Sequence, residues 1–182
     1  ENQGAVDLYR QLGFVSRAIR TTWHGDPGVS PKGFQLPRNI RISSRRLSDW
    51  DRQQYWLDKA YPEYLRWHLP FKMGRMQPGM ISSIKRYFYD VQVQHFTLRM
   101  NDQIIGALSL QSSTSQADHL WLAAPLSDPS TAIENLLPYV LRIRKKNRTL
   151  AVNFPTNIGK EAFEEAGFRE HVNLIWMECP LN

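Results

Sequence analysis

The residues best suited to chemistry lie at the start of the chain, in the stretch ENQGAVDLYRQLGF. This stretch carries an amide, Asn2, and a phenol, Tyr9, and it ends in Gly13 and Phe14. A tyrosine hydroxyl held beside a leaving group can protonate it as a general acid. The apolar spacing predicts a helix over Gly4–Leu12 that ends at a glycine, where a positive φ is needed. The alternative interpretation is an ordinary amphipathic helix with a glycine cap.

A weaker copy of this pattern, TNIGKEAFEEAGF, ends 154 residues later (168 − 14). Aligned without gaps, the two stretches share a small residue, an aromatic ring, a glycine and a final phenylalanine. Their chemistry differs, because Tyr9 meets Phe163 and Asn2 meets Thr156. Phe163 has no hydroxyl, so the second copy lacks the candidate proton donor.

The first stretch resembles the late helix motif N-x-x-A-x-x-L-Y-x-x-x-G-F of the GNAT acyl-CoA-dependent N-acetyltransferases. All six motif positions are present, at Asn2, Ala5, Leu8, Tyr9, Gly13 and Phe14. The resemblance implies acetyl-CoA as co-substrate, with Asn2, Ala5 and Tyr9 on the cofactor side. It also implies that Tyr9 is the catalytic acid that protonates the departing thiolate. Because the pattern occurs twice, the resemblance is to a tandem GNAT protein.

The loop that would hold the cofactor's pyrophosphate departs from the family pattern. In the family it lies between the fourth strand and the long helix, with the pattern [QR]-x-x-G-x-[GA]. Here that junction reads LAAPLSDPSTAIENLL, and no glycine occurs between Gly106 and Gly159. Asp128 is predicted as the helix N-cap and Pro129 as its first residue, so a carboxylate would occupy donors that a phosphate needs. We therefore expect acetyl-CoA binding in the second copy to be weak or lost.

The elements predicted from residue 39 follow the family order: strand, two helices, three antiparallel strands, helix, strand, helix, strand. The fold class is therefore α/β or α+β, a GNAT-like fold with a central, mostly antiparallel mixed sheet flanked by helices. The clearest members are a hairpin around Asn101-Asp102 and a helix from Pro129 to Lys146. Pro62 divides an aromatic helical region, and a further helix is predicted over Gly79–Tyr89.

The repeated pattern predicts three parts of the chain. Residues 1–23 are interpreted as the C-terminal helix and strand of a preceding GNAT domain, most of which is missing. Residues 24–37, with three glycines and three prolines, form a linker. Residues 38–182 form a degenerate GNAT-like domain. Each copy has one clear strand after its helix, so strand 14–23 is expected to pack on the second domain as an edge partner.

Composition limits the partners and the setting. The net charge of +6 permits an anionic partner. Specific nucleic-acid binding is not predicted, because the basic cluster at the end of the long helix is typical of cations that complement a helix dipole. That cluster comprises Arg142, Arg144, Lys145, Lys146 and Arg148. No apolar run reaches the roughly 18 residues of a membrane span. Cys179 is the single cysteine and is predicted to be buried; one thiol alone suits a cytoplasmic location.

The remaining candidates have structural interpretations. The five histidines lack the spacing of metal ligands, so no metal site is predicted. Asp118, His119 and Glu178 stand where a general base can occur, but polar strand residues are expected there. The aromatic belt from Trp50 to Phe71 is expected to be mostly core, with an acceptor groove as the alternative.

Two classes of function follow. In the first, the intact protein transfers an acetyl group from acetyl-CoA to the amine of a small molecule or peptide. The present chain would then be mainly its second, non-catalytic domain, packed against the first domain or against a second copy. In the second, residues 38–182 are a ligand- or protein-binding module without chemistry. Fold resemblance alone cannot choose between them.

Overall fold

The computed structural model describes residues 3–26, 33–78, 93–112, 117–144 and 148–180. Seven strands form one sheet in the order β2-β3-β4-β5-β6-β1-β7. The strands are β1 (Val15–Gly25), β2 (Ile40–Ser44), β3 (Val93–Met100), β4 (Gln103–Gln111), β5 (Ala117–Ala123), β6 (Thr149–Pro155) and β7 (Phe168–Glu178). The helices are α1 (Gln3–Gln11), α2 (Trp50–Ala60), α3 (Glu63–Arg66), α4 (Met73–Met76), α5 (Ser130–Ile143) and α6 (Lys160–Glu165). The helix predicted over 79–89 lies outside the described residues.

The sheet is mixed and mostly antiparallel, as predicted. Only β5 and β6, among the paired strands described, run parallel, and α5 connects them. The hairpin between β3 and β4 turns at Asn101 and Asp102, whose φ angles of 49° and 64° match a two-residue turn of the hairpin type. The predicted fold class is therefore confirmed.

Helices cover both faces of the sheet. On one face, a Cβ built on Gly106 of β4 would lie 2.6 Å from the Cβ of Ala132, so α5 packs directly on this strand. On the other face, Gln53 of α2 donates to the hydroxyl of Ser109, three residues along the same strand. Successive strand residues face opposite sides, so α2 and α5 enclose the sheet between them.

Strand β1 lies inside the sheet. It pairs antiparallel with β6 on one side and with β7 on the other. The expectation that this strand packs on the rest of the chain is confirmed, and its partner β7 is the strand at the edge of the sheet. The edge belongs to β7, because β1 inserts between the last two strands of the chain.

The pairing of β1 with β7 has local twofold symmetry that follows the sequence repeat. Arg20 pairs with Leu174, and these residues occupy equivalent positions in the two copies (174 − 20 = 154). The register skips one residue on each strand, Arg17 and His171, and these are equivalent as well (171 − 17 = 154). A β-bulge is a specific local feature. Its recurrence at matching positions means that α1–β1 and α6–β7 are copies of one structural unit.

Candidate functional site

Helix α1 ends as its sequence predicts. Gly13 has φ of +87°, its N–H donates to the carbonyl of Arg10 at 3.0 Å, and the N–H of Phe14 donates to the carbonyl of Tyr9 at 3.0 Å. This is the hydrogen-bond pattern of a glycine-capped helix end. The ring of Phe14 meets the ring of Tyr9 edge-on, with centroids 5.4 Å apart. The cap therefore fixes where the Tyr9 ring lies on the helix.

The predicted catalytic and cofactor residues lie on an open surface. Tyr9 is 47% exposed and Ala5 is half-buried. Asn2 lies outside the described residues. Leu8 and Leu12 are also exposed, and within the described chain no residue of α1 is buried. A nine-residue helix is marginal in water without tertiary packing. The apolar face of α1 is thus exposed, and a partner that covers it would stabilise the helix.

The second copy of the unit has the same cap but a different environment. Gly167 has φ of +85°, close to that of Gly13. Phe163, the equivalent of Tyr9, is fully buried and stacks on Trp23 of β1 with centroids 4.8 Å apart. The two helices therefore share their backbone geometry, while one aromatic ring serves the core and the other carries an exposed hydroxyl.

The start of α5 does not fit the pyrophosphate of acetyl-CoA. The side chain of Asp128 accepts a hydrogen bond from the N–H of Ser130 at 3.3 Å, and the exposed carboxylate adds negative charge there. Pro129, next to it, has no N–H to offer. The helix is assigned from Ser130, one residue later than predicted, with its first hydrogen bond from Ile133 to the carbonyl of Pro129. The donors that would hold a phosphate are thus partly taken by the chain itself.

The structure also shows a crevice between β5 and β6, which the sequence did not predict. The register that pairs β5 with β6 ends at Leu120 and Val152, although both strands continue beyond these residues. The carboxyl ends of parallel strands that part in this way are where open sheets commonly bind ligands. Tyr61 and Arg20 lie at this crevice, and both are almost completely buried. No sequence motif indicated either residue as functional. Tyr61 precedes a proline, and Arg20 interrupts the apolar residues of a strand.

The two acidic candidates for a general base, Asp118 and Glu178, form ion pairs with arginines. Asp118 is fully buried and accepts from Arg144 and Arg148, two members of the basic cluster. Arg144 ties the end of α5 to the start of β5, and Arg148 ties the residue before β6 to the same carboxylate. Glu178 accepts from Arg17 at 2.5 Å on the surface. Asp118 is thus a buried partner of two arginines, and Glu178 is an exposed polar residue at the end of β7, where a strand-end polar residue was expected.

His119 stacks on Trp121 with centroids 5.7 Å apart. Burial lowers the pKa of His119, and the neighbouring Asp118 carboxylate opposes that shift. The side chain is therefore a neutral, half-buried imidazole packed in the sheet at neutral pH.

Two further expectations have mixed outcomes. Cys179 is exposed, so its predicted burial is wrong; β7 ends one residue earlier, at Glu178, and leaves the thiol beyond the sheet. The aromatic belt divides as follows: Trp50, Trp56, Tyr61 and Phe71 are buried, whereas Tyr55, Tyr64 and Trp67 are exposed. The belt is therefore only partly core.

Among the residues that the structure describes, no group of three or more His, Cys, Asp or Glu side chains is placed to hold a metal ion. In the same part of the chain, every helix is too short or too polar to cross a bilayer.

The fold is that of known GNAT proteins. A GCN5-related N-acetyltransferase from Kribbella flavida superposes with a TM-score of 0.62 at 9% identity, over 98% of this chain and 65% of that chain. One from Sphaerobacter thermophilus gives 0.61 at 13% identity, over 97% and 56%. A tandem GNAT protein from the clavulanic acid biosynthesis pathway gives 0.50 at 14% identity, over 97% and 58%. No family model and no curated protein matches the sequence. The chain has the GNAT fold, and it spans 65% or less of the length of these three proteins.

Proposed function

We propose that this chain belongs to an acyl-CoA-dependent N-acetyltransferase and is mainly its second, non-catalytic domain. In this arrangement residues 1–23 come from the preceding GNAT domain, residues 24–37 link the two, and residues 38–182 form the second domain. The observation that carries the proposal is the contrast between two equivalent helices. Tyr9 keeps an exposed hydroxyl on the first, whereas Phe163 is a core residue on the second.

Tyr9 has the chemistry that acetyl transfer requires of a general acid. Acetyl-CoA supplies a thioester whose carbonyl carbon an amine attacks, so a C–N bond forms and the C–S bond breaks. The Tyr9 Oη would donate its proton to the departing sulfur, which leaves as a thiol rather than as a thiolate. The amine nitrogen would lose one proton to solvent as the amide forms, and a proton from solvent would restore the Tyr9 phenol. Ala5 lies on the same helix as Tyr9. We assign Ala5 and Asn2 to the cofactor side because the family motif implies those roles. The acceptor is the amine of a small molecule or a peptide.

The open face of α1 supports the proposal that the preceding domain packs there. β6 pairs with the side of β1 that faces away from β7. By the local twofold, a strand of the preceding domain takes the corresponding place beside β7, and its core covers Leu8, Tyr9 and Leu12. A second copy of the chain is the alternative occupant of this face. We assign the protein to the cytoplasm, which suits a single cysteine.

A second candidate function is a binding module without chemistry. It is favoured by the start of α5, where Asp128 occupies a donor at the helix end. In this case residues 38–182 would hold a ligand or protein other than acetyl-CoA. The two candidates differ in whether Tyr9 affects turnover.

The test compares residues 1–182 with a longer polypeptide that includes the complete unit ahead of α1. We expect the longer polypeptide to acetylate amines and to bind acetyl-CoA by calorimetry, and the shorter chain to do neither well. Tyr9→Phe in the longer polypeptide should lower kcat by roughly 10²–10⁴-fold, the usual contribution of a general acid. Tyr55→Phe, which removes another exposed tyrosine hydroxyl, is the matched control. An unchanged kcat in Tyr9→Phe would contradict the assigned role.

A further inference from the structure

At the crevice between β5 and β6, backbone N–H and C=O groups no longer form hydrogen bonds from one strand to the other. Strand pairing ends at Leu120 and Val152, so the N–H of Leu122 has no partner on β6. Buried backbone donors and acceptors must be satisfied by some other group. Whatever lies at this position therefore completes the sheet.

Tyr61 completes it on the β5 side. Its hydroxyl accepts a hydrogen bond from the N–H of Leu122 at 3.2 Å, and its side chain is fully buried. The ring stacks on Phe71 at 5.2 Å and meets Trp121 edge-on at 5.3 Å between centroids. These contacts hold the hydroxyl in place. Burial raises the pKa of Tyr61 to about 12, so the phenol stays neutral and its oxygen stays available as an acceptor.

Arg20 completes the crevice on the β6 side. One guanidinium nitrogen donates to the backbone carbonyl of Asn153 at 3.0 Å, and Nε donates to the side chain of the same residue. A third nitrogen donates to the carbonyl of Ala60 at the end of α2, at 2.8 Å. The guanidinium also lies 5.2 Å from the centre of the Tyr61 ring. Arg20 thus joins β1, β6 and α2 across the opening.

We propose that Tyr61 and Arg20 seal this crevice, so that the chain's own side chains occupy the position where the acyl-bearing arm of a thioester cofactor would enter. A ligand could enter only by displacing a buried tyrosine from a backbone N–H and a buried arginine from three acceptors. Leaving such groups without hydrogen bonds is costly. The seal is therefore part of the folded domain and does not open for acetyl-CoA.

The twofold mate of Arg20 shows that strand pairing does not demand an arginine. Leu174 holds the equivalent position and pairs with Arg20 across the two strands. Arg20 is 2% exposed and fully engaged by acceptors, whereas Leu174 is 42% exposed. The arginine is explained by the crevice that it fills. The proposed seal involves only the sheet of this chain, so its test does not depend on the catalytic role proposed for Tyr9.

The experiment is nuclear magnetic resonance on isotope-labelled residues 1–182, with millimolar acetyl-CoA as the probe. In the wild-type chain we expect a slowly exchanging Leu122 amide, and no shift of Leu122, Asn153 or Tyr61 on titration. Binding confined to the outside of α5 would leave these signals unchanged and would support the seal. Shifts of these three signals would overturn it.

The variant Tyr61→Phe removes only the accepting oxygen. We expect exchange of the Leu122 amide to accelerate roughly tenfold, the effect of losing one buried hydrogen bond. Tyr55→Phe, on exposed α2 surface, should leave this amide unchanged. Equal protection of Leu122 in Tyr61→Phe and in wild type would refute the proposal. If Tyr61→Phe does not fold, hydrogen exchange of the Leu122 amide in the wild-type chain is the test. Slow exchange supports the seal, and rapid exchange contradicts it.

Discussion

Trp23 gives the sharpest test that β1 is an integral strand of this sheet. Its ring is 3% exposed and lies parallel to the ring of Phe163, with an interplanar angle of 3°. Trp23→Ala would remove a large buried side chain and leave a cavity against α6. Such truncations cost about 3–5 kcal/mol. That is a large fraction of the total stability of about 5–15 kcal/mol that is typical of native proteins.

The assay is equilibrium unfolding in urea, followed by tryptophan fluorescence and circular dichroism. Trp67→Ala is the matched control, because the same side chain is 80% exposed there and its loss should cost less than about 1 kcal/mol. Both variants lose one fluorophore, so the signals remain comparable. If the two variants have equal free energies of unfolding, β1 is not held in the sheet by Trp23 and the packing described above is incorrect.

Two further predictions test the core and the titrating groups. Gly106→Ala places a methyl group 2.6 Å from Ala132 and should lower the free energy of unfolding by about 1–3 kcal/mol, measured in urea. Gly74→Ala, where the added methyl group meets no atom within 4 Å, is the control and should be neutral or slightly stabilising. Burial is the main cause that lowers the pKa of three histidines from 6.5, namely His24, His68 and His119. The unfolded chain then binds more protons than the folded chain below about pH 6.5, so the melting temperature should fall between about pH 7.5 and 5.5. A melting temperature that rises as the pH falls would contradict this assignment.

Local features were predictable because nearby residues determine them. A glycine that follows an amphipathic run predicts a helix end with positive φ, and Gly13 and Gly167 both adopt it. Asn101-Asp102 between two alternating runs predicts a tight hairpin, which the structure contains. The order of strands and helices then identified the fold class.

Non-local pairing could not be read from the sequence. Strand β1 is separated from β6 by more than a hundred residues, and nothing in its own pattern distinguishes an interior strand from an edge strand. Its exposed first half explains the difficulty, since Val15 and Ile19 are apolar yet open. The fate of Cys179 depended on where β7 ends, a boundary that periodicity fixes only to within a few residues.

The asymmetry between Arg20 and Leu174 connects the fold to the proposed division of labour. The two residues are equivalent in sequence and pair with each other. Arg20 also pairs with Pro155 of β6, whereas Leu174 lies on β7, the edge strand of the described sheet. A buried arginine is tolerated only where acceptors surround it, and Ala60 and Asn153 supply them on this side of the axis. A leucine needs no acceptors, and Leu174 is 42% exposed on the edge strand. In the proposed tandem protein, Arg20 would therefore serve the sheet of the second domain, whereas Leu174 would lie on the strand beside which the first domain packs.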